Sequence, residues 1–599
     1  MDTSIDQFGK LPEWDLSEIY PSMEASELHK DLDRAMTLAQ EFAKEAKGTF
    51  VEAIVQNKDG ARLAALVRRY EEIQELFCRI MSFAELLHSL DVNDPMRSKF
   101  YSDTHTKIIE AMSLLQFFEL ELNSIDHNTM DSLYDACPEL SHYRPWIRDV
   151  ATAKPHQLSD ELERLFIEKS ITSSAGWSHL FDETISSLRF TVDDEELTIE
   201  PTLNLLWDPD EEKRKKASQA LSRTLKGNLR LFTCITNTLA KDKEIYDRWH
   251  NFEDVADSRH LSNHVERQVI EALVSAVESS YSRLSHRYYA LKAKWMGKPH
   301  LEHWDRNAPL PEKDTRLIPW SEAEDIVFTA YEKFSPSLSD CVGMFFGNNW
   351  IDAPVKPGKS PGGFSHPVVP SVHPFILMNY QGKTRDVATL AHELGHGVHQ
   401  FLSGSNGFLM SRTPLTLSET AAVFGEMLTF DVLLERASTV TEKKLILASK
   451  VEDMLNTVIR QITFYSFERL VHTERKRGEL TLDRLCEIWM QLQGDSYGPA
   501  VKLGDGYEAF WAYIPHFIHS PFYVYAYAFG HCLANSFYTL FHDNSELFRD
   551  KYIEFLKAGG TRHHKELLAS FGFDPSSVKF WSMGLEITEN MITELEAMG

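Results

Sequence analysis

Residues 392 to 396 read HELGH. On a helix, His392 and His396 stand at i and i+4, so both imidazoles project from one face and can bind a single tetrahedral cation. Glu393 is one residue round the helix from the first histidine, placed to take a proton from an attacking water rather than to ligate. A chain of this length contains on the order of 0.1 such spacings by chance, so the motif needs its context. Upstream, residues 373–380 (HPFILMNY) read as a strand, bounded by a Pro/Gly/Ser-rich loop at 357–370 and by Gln381-Gly382. Thr384 or Asp386 can cap the helix that follows. Gly395 and Gly397 each cost a helix roughly 1 kcal/mol, which points to close approach of other backbone.

A catalytic zinc has three protein ligands and one open position. His399 shares the face of His392 but lies about 10 Å along the axis, too far for one ion to span. A metzincin pattern would need glycine at 399 and histidine at 402, where the chain has His399 and Leu402. The better third ligand is Glu419 in LTLSETAAVFGEML, because the loop at 403–414 can return an antiparallel helix past the first. Glu426, seven residues on, shares its face, so one carboxylate can bind metal while the other orients a histidine.

These side chains need a helical frame, and the sequence supplies one. Apolar residues recur at three and four spacing, as in Ile270, Leu273, Val274 and Val277, so the chain reads as mainly α. Long helical patterns cover residues 26–47, 59–90, 95–123, 209–249 and 264–296. Residues 187–204 alternate apolar and polar around Asp193-Asp194, a hairpin pattern. At 599 residues the chain exceeds the size of one core. We expect an amino-terminal helical lobe over 1–200 and a catalytic domain over 201–599.

Composition narrows the function. A net charge of −27 argues against nucleic acid, whose phosphates require clustered cations. Met1 to Lys10 lack the basic and apolar regions of a secretory signal. The aromatic run at 521–541 is broken by His531, Asn535 and Ser536 and is poor material for a membrane span. A cytoplasmic location is expected. Six widely spaced cysteines match neither a disulfide framework nor a CxxC metal ribbon.

HELGH with Glu419 in SETA, together with WDLSEIYPS at 14–22 and IPHFIHSPFYVYAYAFGH at 514–531, resembles oligoendopeptidase F, within the thimet oligopeptidase and neurolysin family of zinc peptidases. The similarity spans essentially the whole chain. It implies a two-lobed helical clamshell with a gluzincin-type catalytic core, a small β element and a deep active-site channel. One Zn²⁺ per chain and short unstructured peptide substrates are implied with it. It also implies that His516 and Tyr523, with Tyr527 as a further candidate, donate hydrogen bonds to the oxyanion of the tetrahedral intermediate. Locally, Ser520-Pro521 reads as a helix start.

The function expected is therefore zinc-dependent endopeptidase cleavage of oligopeptides, with Glu393 as the base. Two alternatives stand beside it: a peptidyl-dipeptidase or carboxypeptidase of the same class, and a non-catalytic helical scaffold with a structural metal.

Overall fold

The computed structural model describes residues 8–312, 316–543 and 545–599. Most of the stretch Met1 to Lys10 thus lies outside the described residues. The chain is mainly helical. Its early periodic segments form α1 (Ser26–Ala46), α2 (Gly60–Ser89), α3 (Pro95–Ser113), α4 (Glu211–Trp249), α5 (Arg267–Glu278) and α6 (Ser285–Trp295). Acidic caps fix several starts: Asp59 accepts from Arg62 N–H at 2.9 Å, Asp94 from Met96 N–H at 2.8 Å and Asp210 from Glu212 N–H at 2.9 Å.

Two expected helices are interrupted. The pattern over 95–123 breaks after Ser113, whose hydroxyl bonds back to the Glu110 carbonyl at 2.7 Å. The pattern over 264–296 breaks between α5 and α6, where the Ser279 and Ser280 hydroxyls bond to the Ala276 and Val277 carbonyls. Such back-bonding offers the backbone an alternative to the helical ladder. The expected hairpin forms as β1 (Phe190–Val192) and β2 (Glu195–Leu197), with Val192 opposite Glu195. Asp193 and Asp194 make its turn at φ of 47° and 68°, the left-handed pair a two-residue hairpin of this kind requires.

A three-stranded sheet precedes the HELGH helix. It consists of β3 (Ile351–Asp352), β4 (Phe364–His366) and β5 (Phe375–Leu377), with β5 in the middle, parallel to β3 and antiparallel to β4. The strand expected at 373–380 is this β5. Its three residues are buried, and both of its edges are occupied. The outer edge of the sheet on this side belongs to β4, inside the segment the sequence presents as a loop.

Downstream lie α7 (Thr384–Ser403), α8 (Leu415–Arg436), α9 (Arg460–Arg475) and α10 (Tyr525–Asp543). The start of α7 is capped from within, Asp386 accepting from the Gln381 and Lys383 N–H groups at 2.8 and 3.0 Å.

The chain folds into two compact units, each built of three segments: Met1–Lys154, Arg316–Arg436 and Leu540–Gly572 in the first, and Pro155–Thr315, Ala437–Thr539 and Phe573–Gly599 in the second. The second unit runs through residue 200. All six cysteines are free thiols. No helix among the described residues is long and apolar enough to cross a membrane.

In the first unit the sheet is stapled by one buried ammonium. Lys359 Nζ donates to Asp352 Oδ1 at 2.6 Å and to the carbonyls of Asp352, Pro354 and Met378 at 3.1, 2.8 and 2.7 Å. It therefore ties β3 to the residue following β5. Asp352 is only 1% exposed, so removing the cation leaves an uncompensated buried charge. Lys359→Met is expected to cost about 3–5 kcal/mol, read as a lowered urea midpoint for the first unit, whereas an unchanged midpoint would show the staple to be dispensable.

Candidate metal centre and active site

The centre is set by how closely α7 and α8 approach. A Cβ on Gly395 would stand 2.6 Å from both the Ala421 carbonyl oxygen and Ala422 Cα, and one on Gly425 would stand 3.0 Å from the Ala391 carbonyl oxygen. The two backbones touch at Gly395, where no Cβ fits, while at Gly425 a Cβ would meet the Tyr331 hydroxyl before it met α7. That contact brings the acidic face of α8 against the histidine face of α7.

Glu419 then reaches both histidines. Its Oε1 lies 3.7 Å from His392 Nε2 and its Oε2 lies 3.6 Å from His396 Nε2. One ligand atom from each of the three residues falls within 4.8 Å of the others, separations that suit one tetrahedral cation with bonds of about 2.0–2.2 Å. Glu426, seven residues or about two turns further along α8, accepts from His392 Nδ1 at 2.6 Å, which leaves Nε2 of that ring directed at the cluster. Ser418 Oγ lies 3.3 Å from His396 Nδ1 and does the same for the second ring. His399 is elsewhere: it is 2% exposed, 3.2 Å from the Thr413 hydroxyl, and burial lowers its imidazole to about 4.

Charge suits the donors to a divalent cation. Burial pulls the His392 imidazole down, but the carboxylates of Glu426, Glu419 and Glu393 outweigh it and hold the ring up at about 10. His396 is held well below its usual value by burial and by the neighbouring imidazoles. The cluster thus carries an excess of carboxylates over cations and one imidazolium proton, which a bound dication displaces. Glu393 is 6% exposed. Burial pushes its carboxyl up to about 7, Glu419 and Glu426 add to the rise, and His392 and a hydrogen bond from the Ser365 backbone oppose it. Ser365 sits in the edge strand β4, which Gln400 also ties to α7 through hydrogen bonds of 2.8 and 3.2 Å with its hydroxyl and carbonyl.

His516, Tyr523 and Tyr527 lie in the second unit and form their own group. His516 opens the short helix His516–His519. The helix expected to start at Ser520-Pro521 starts at Tyr525, because Phe522 has φ of 62°, a left-handed conformation that cannot continue a helix. Tyr523 therefore precedes α10. Its ring still lies 5.2 Å from that of Tyr527, edge to face, and 6.3 Å from that of His516. The Tyr527 hydroxyl lies 3.4 Å from His516 Nε2. Burial lowers the His516 imidazole, with Arg460 and His519 adding to the effect, so the ring is neutral at physiological pH. Tyr525 is excluded from the group: it is fully buried, its hydroxyl 2.8 Å from Asn263 Nδ2 and 3.1 Å from His260 Nδ1. The sequence reading passed over Ser418 and Ser365. Nothing in their local pattern marks them, since each acts through a non-local approach.

Among known proteins, the family model for peptidase family M3 matches residues 204–587, and the model for oligopeptidase F matches residues 121–190. The chain is 25% identical over 595 residues to Oligopeptidase PepF of Bacillus subtilis, covering 98% of this chain and 87% of that one. It is 25% identical over 594 residues to the Group B oligopeptidase PepB of Streptococcus agalactiae, covering 98% and 96%. A crystal structure from Chlamydophila abortus superposes with a TM-score of 0.82 at 23% identity over 98% of both chains. Oligoendopeptidase-F from Enterococcus faecium superposes with a TM-score of 0.71 at 20% identity over 96% of this chain and 98% of that one. At these identities the superpositions speak for the fold.

The helix crossing generates a direct prediction. Gly395→Ala places a methyl against backbone that cannot yield, so α7 and α8 must separate and Glu419 must retreat from the histidines. The variant is expected to melt at lower temperature and to lose divalent metal on dialysis that the parent retains. Parent-like melting and metal retention would contradict the crossing as the determinant of the centre.

Proposed function

The chain belongs to peptidase family M3, and from that premise we propose that it is a cytoplasmic, zinc-dependent endopeptidase of the oligoendopeptidase F type, within the neurolysin-like group, that hydrolyses short unstructured peptides at internal bonds. The observation that carries the reading is the convergence of His392, His396 and Glu419 on one cation-sized space with Glu393 buried beside it. Relatives along the full length of the chain are named as oligopeptidases, which supports peptides as the substrate class.

In this reading His392, His396 and Glu419 hold one zinc ion. Zinc supplies Lewis acidity toward the scissile carbonyl and the attacking water. Glu393 takes the proton from that water and returns it to the leaving amine. A carboxyl held near 7 is suited to both transfers, because it neither grips nor refuses the proton at neutral pH. Glu426 fixes the tautomer and tilt of His392. His516 and Tyr523, with Tyr527, donate hydrogen bonds to the developing oxyanion; their clustering around a neutral imidazole supports that role.

Three outcomes test the proposal. Glu393→Gln is expected to retain stoichiometric zinc and lose at least about 100-fold in kcat, since the amide keeps the shape and removes the base. Loss of the metal in that variant would make Glu393 a ligand. Glu419→Ala is expected to lose zinc on dialysis against a mild chelator; full occupancy would remove Glu419 from the metal. Mass spectrometry of short peptides blocked at both ends should show chelator-sensitive internal cuts. Release of dipeptides alone, with strict need for a free carboxyl terminus, would instead make the enzyme a peptidyl-dipeptidase.

A further inference from the structure

Phe522 stands apart in the second unit. It is a bulky, fully buried residue held at φ of 62°, where only glycine and asparagine are at ease. A strained residue persists only where its surroundings over-determine it, and such positions cluster at functional sites. Here the determinants can be named.

The peptide unit joining Pro521 to Phe522 is gripped at both ends. Arg259 Nε donates to the Pro521 carbonyl oxygen at 3.2 Å, and the Phe522 N–H donates to Glu468 Oε1 at 2.8 Å. Because the carbonyl and N–H of a trans peptide point in opposite directions, a donor on one side and an acceptor on the other fix the plane between them. Turning that plane over would break both bonds and release Phe522 from its left-handed conformation. The ring beyond is wedged against His472 at 4.9 Å and Tyr465 at 6.0 Å. The next residue is Tyr523, and the Arg259 guanidinium also lies over its ring at 5.9 Å. Two residues further on, Tyr525 is moored to His260 and Asn263, neighbours of Arg259 in chain and space.

Nothing else accounts for Glu468. It is 2% exposed, and its Oε2 makes no hydrogen bond. No lysine or arginine forms a salt bridge with it among the described residues, so the Phe522 N–H is its one hydrogen-bonding partner. A buried carboxyl with a single backbone bond is an expensive way to add stability. Its placement makes sense if holding that peptide plane is its task.

We propose that Glu468 and Arg259 are positioning residues that clamp the 521–522 peptide and thereby set Tyr523 in its place beside His516 and Tyr527. The proposal rests on the reading that Tyr523 serves the oxyanion. Glu468 acts as acceptor in either protonation state. Burial pushes its carboxyl up to about 8, against the Phe522 N–H and the nearby charges of Arg259 and Lys243, so glutamine is its close mimic near neutrality.

The test is a set of five variants of the full-length, zinc-loaded enzyme, assayed on a blocked peptide. Leucine has fewer side-chain heavy atoms than glutamate and brings no charge into the buried position, so Glu468→Leu is expected to fold. It should lower kcat by about 10- to 100-fold with zinc content unchanged and KM altered by less than about twofold. Glu468→Gln, which keeps the acceptor, should stay within about threefold of the parent in kcat. Arg259→Leu, which releases the other end of the same peptide, should reproduce the loss. In a Tyr523→Phe background, Glu468→Leu should add little, because both changes remove the same contribution. Hydrogen exchange over residues 520–526 should rise in Glu468→Leu while the rest of the unit keeps its protection. A parent-like kcat for Glu468→Leu, an equal loss in Glu468→Gln, or fully multiplicative effects with Tyr523→Phe would overturn the clamp. If Tyr523→Phe itself keeps full kcat, the oxyanion reading fails. The clamp is then judged by exchange alone, and unchanged exchange over 520–526 overturns it too.

Discussion

The contact between the backbones of α7 and α8 is the constraint on which the centre depends. Gly395 places no Cβ where it would strike the Ala421 and Ala422 backbone, and Gly425 leaves room for the Ala391 carbonyl and the Tyr331 ring. Their helix-propensity cost, about 1 kcal/mol each, is small beside what the contact permits. Once the axes are that close, the i and i+4 spacing of His392 and His396 and the seven-residue spacing of Glu419 and Glu426 do the rest. Each histidine meets a carboxylate at Nε2, and His392 meets another at Nδ1.

Burial turns this geometry into chemistry. In water, carboxylates and imidazoles at these distances would interact weakly. In this buried site the carboxylates hold His392 up, burial with the neighbouring imidazoles holds His396 down, and burial with Glu419 and Glu426 brings Glu393 up to about 7. In the function proposed, the site takes up a dication in exchange for a proton and leaves beside it a carboxyl that can both accept and release one. The edge strand β4 belongs to the same design. Its Ser365 faces Glu393 and Gln400 with the backbone groups that the sheet does not use.

Much of this was legible in the sequence, because it rests on local spacing. HELGH, the seven-residue spacing from Glu419 to Glu426 and the Asp193-Asp194 hairpin are all short-range patterns with physical mechanisms. What escaped the reading depends on distant residues or on single backbone angles. The break between α5 and α6 turns on serine hydroxyls bonding to their own helix. The late start of α10 turns on Phe522, which no propensity would place at positive φ. The central place of β5 required two partners, one of them hidden in a Pro/Gly/Ser-rich segment. That Tyr527 reaches His516 while Tyr523 stands beside it follows from where α10 begins, and could not be read from the spacing of the tyrosines.

The most direct test of the account is X-ray absorption at the zinc edge of the metal-loaded protein. Two imidazoles, one carboxylate and one further light oxygen should make up the coordination shell, with no sulfur, and replacing Glu419 by alanine should change the oxygen contribution while both imidazole signatures persist in whatever metal remains. A shell holding a single imidazole, or one unaltered by the loss of Glu419, would contradict the claim that the glycine crossing of two helices assembles the metal centre from His392, His396 and Glu419.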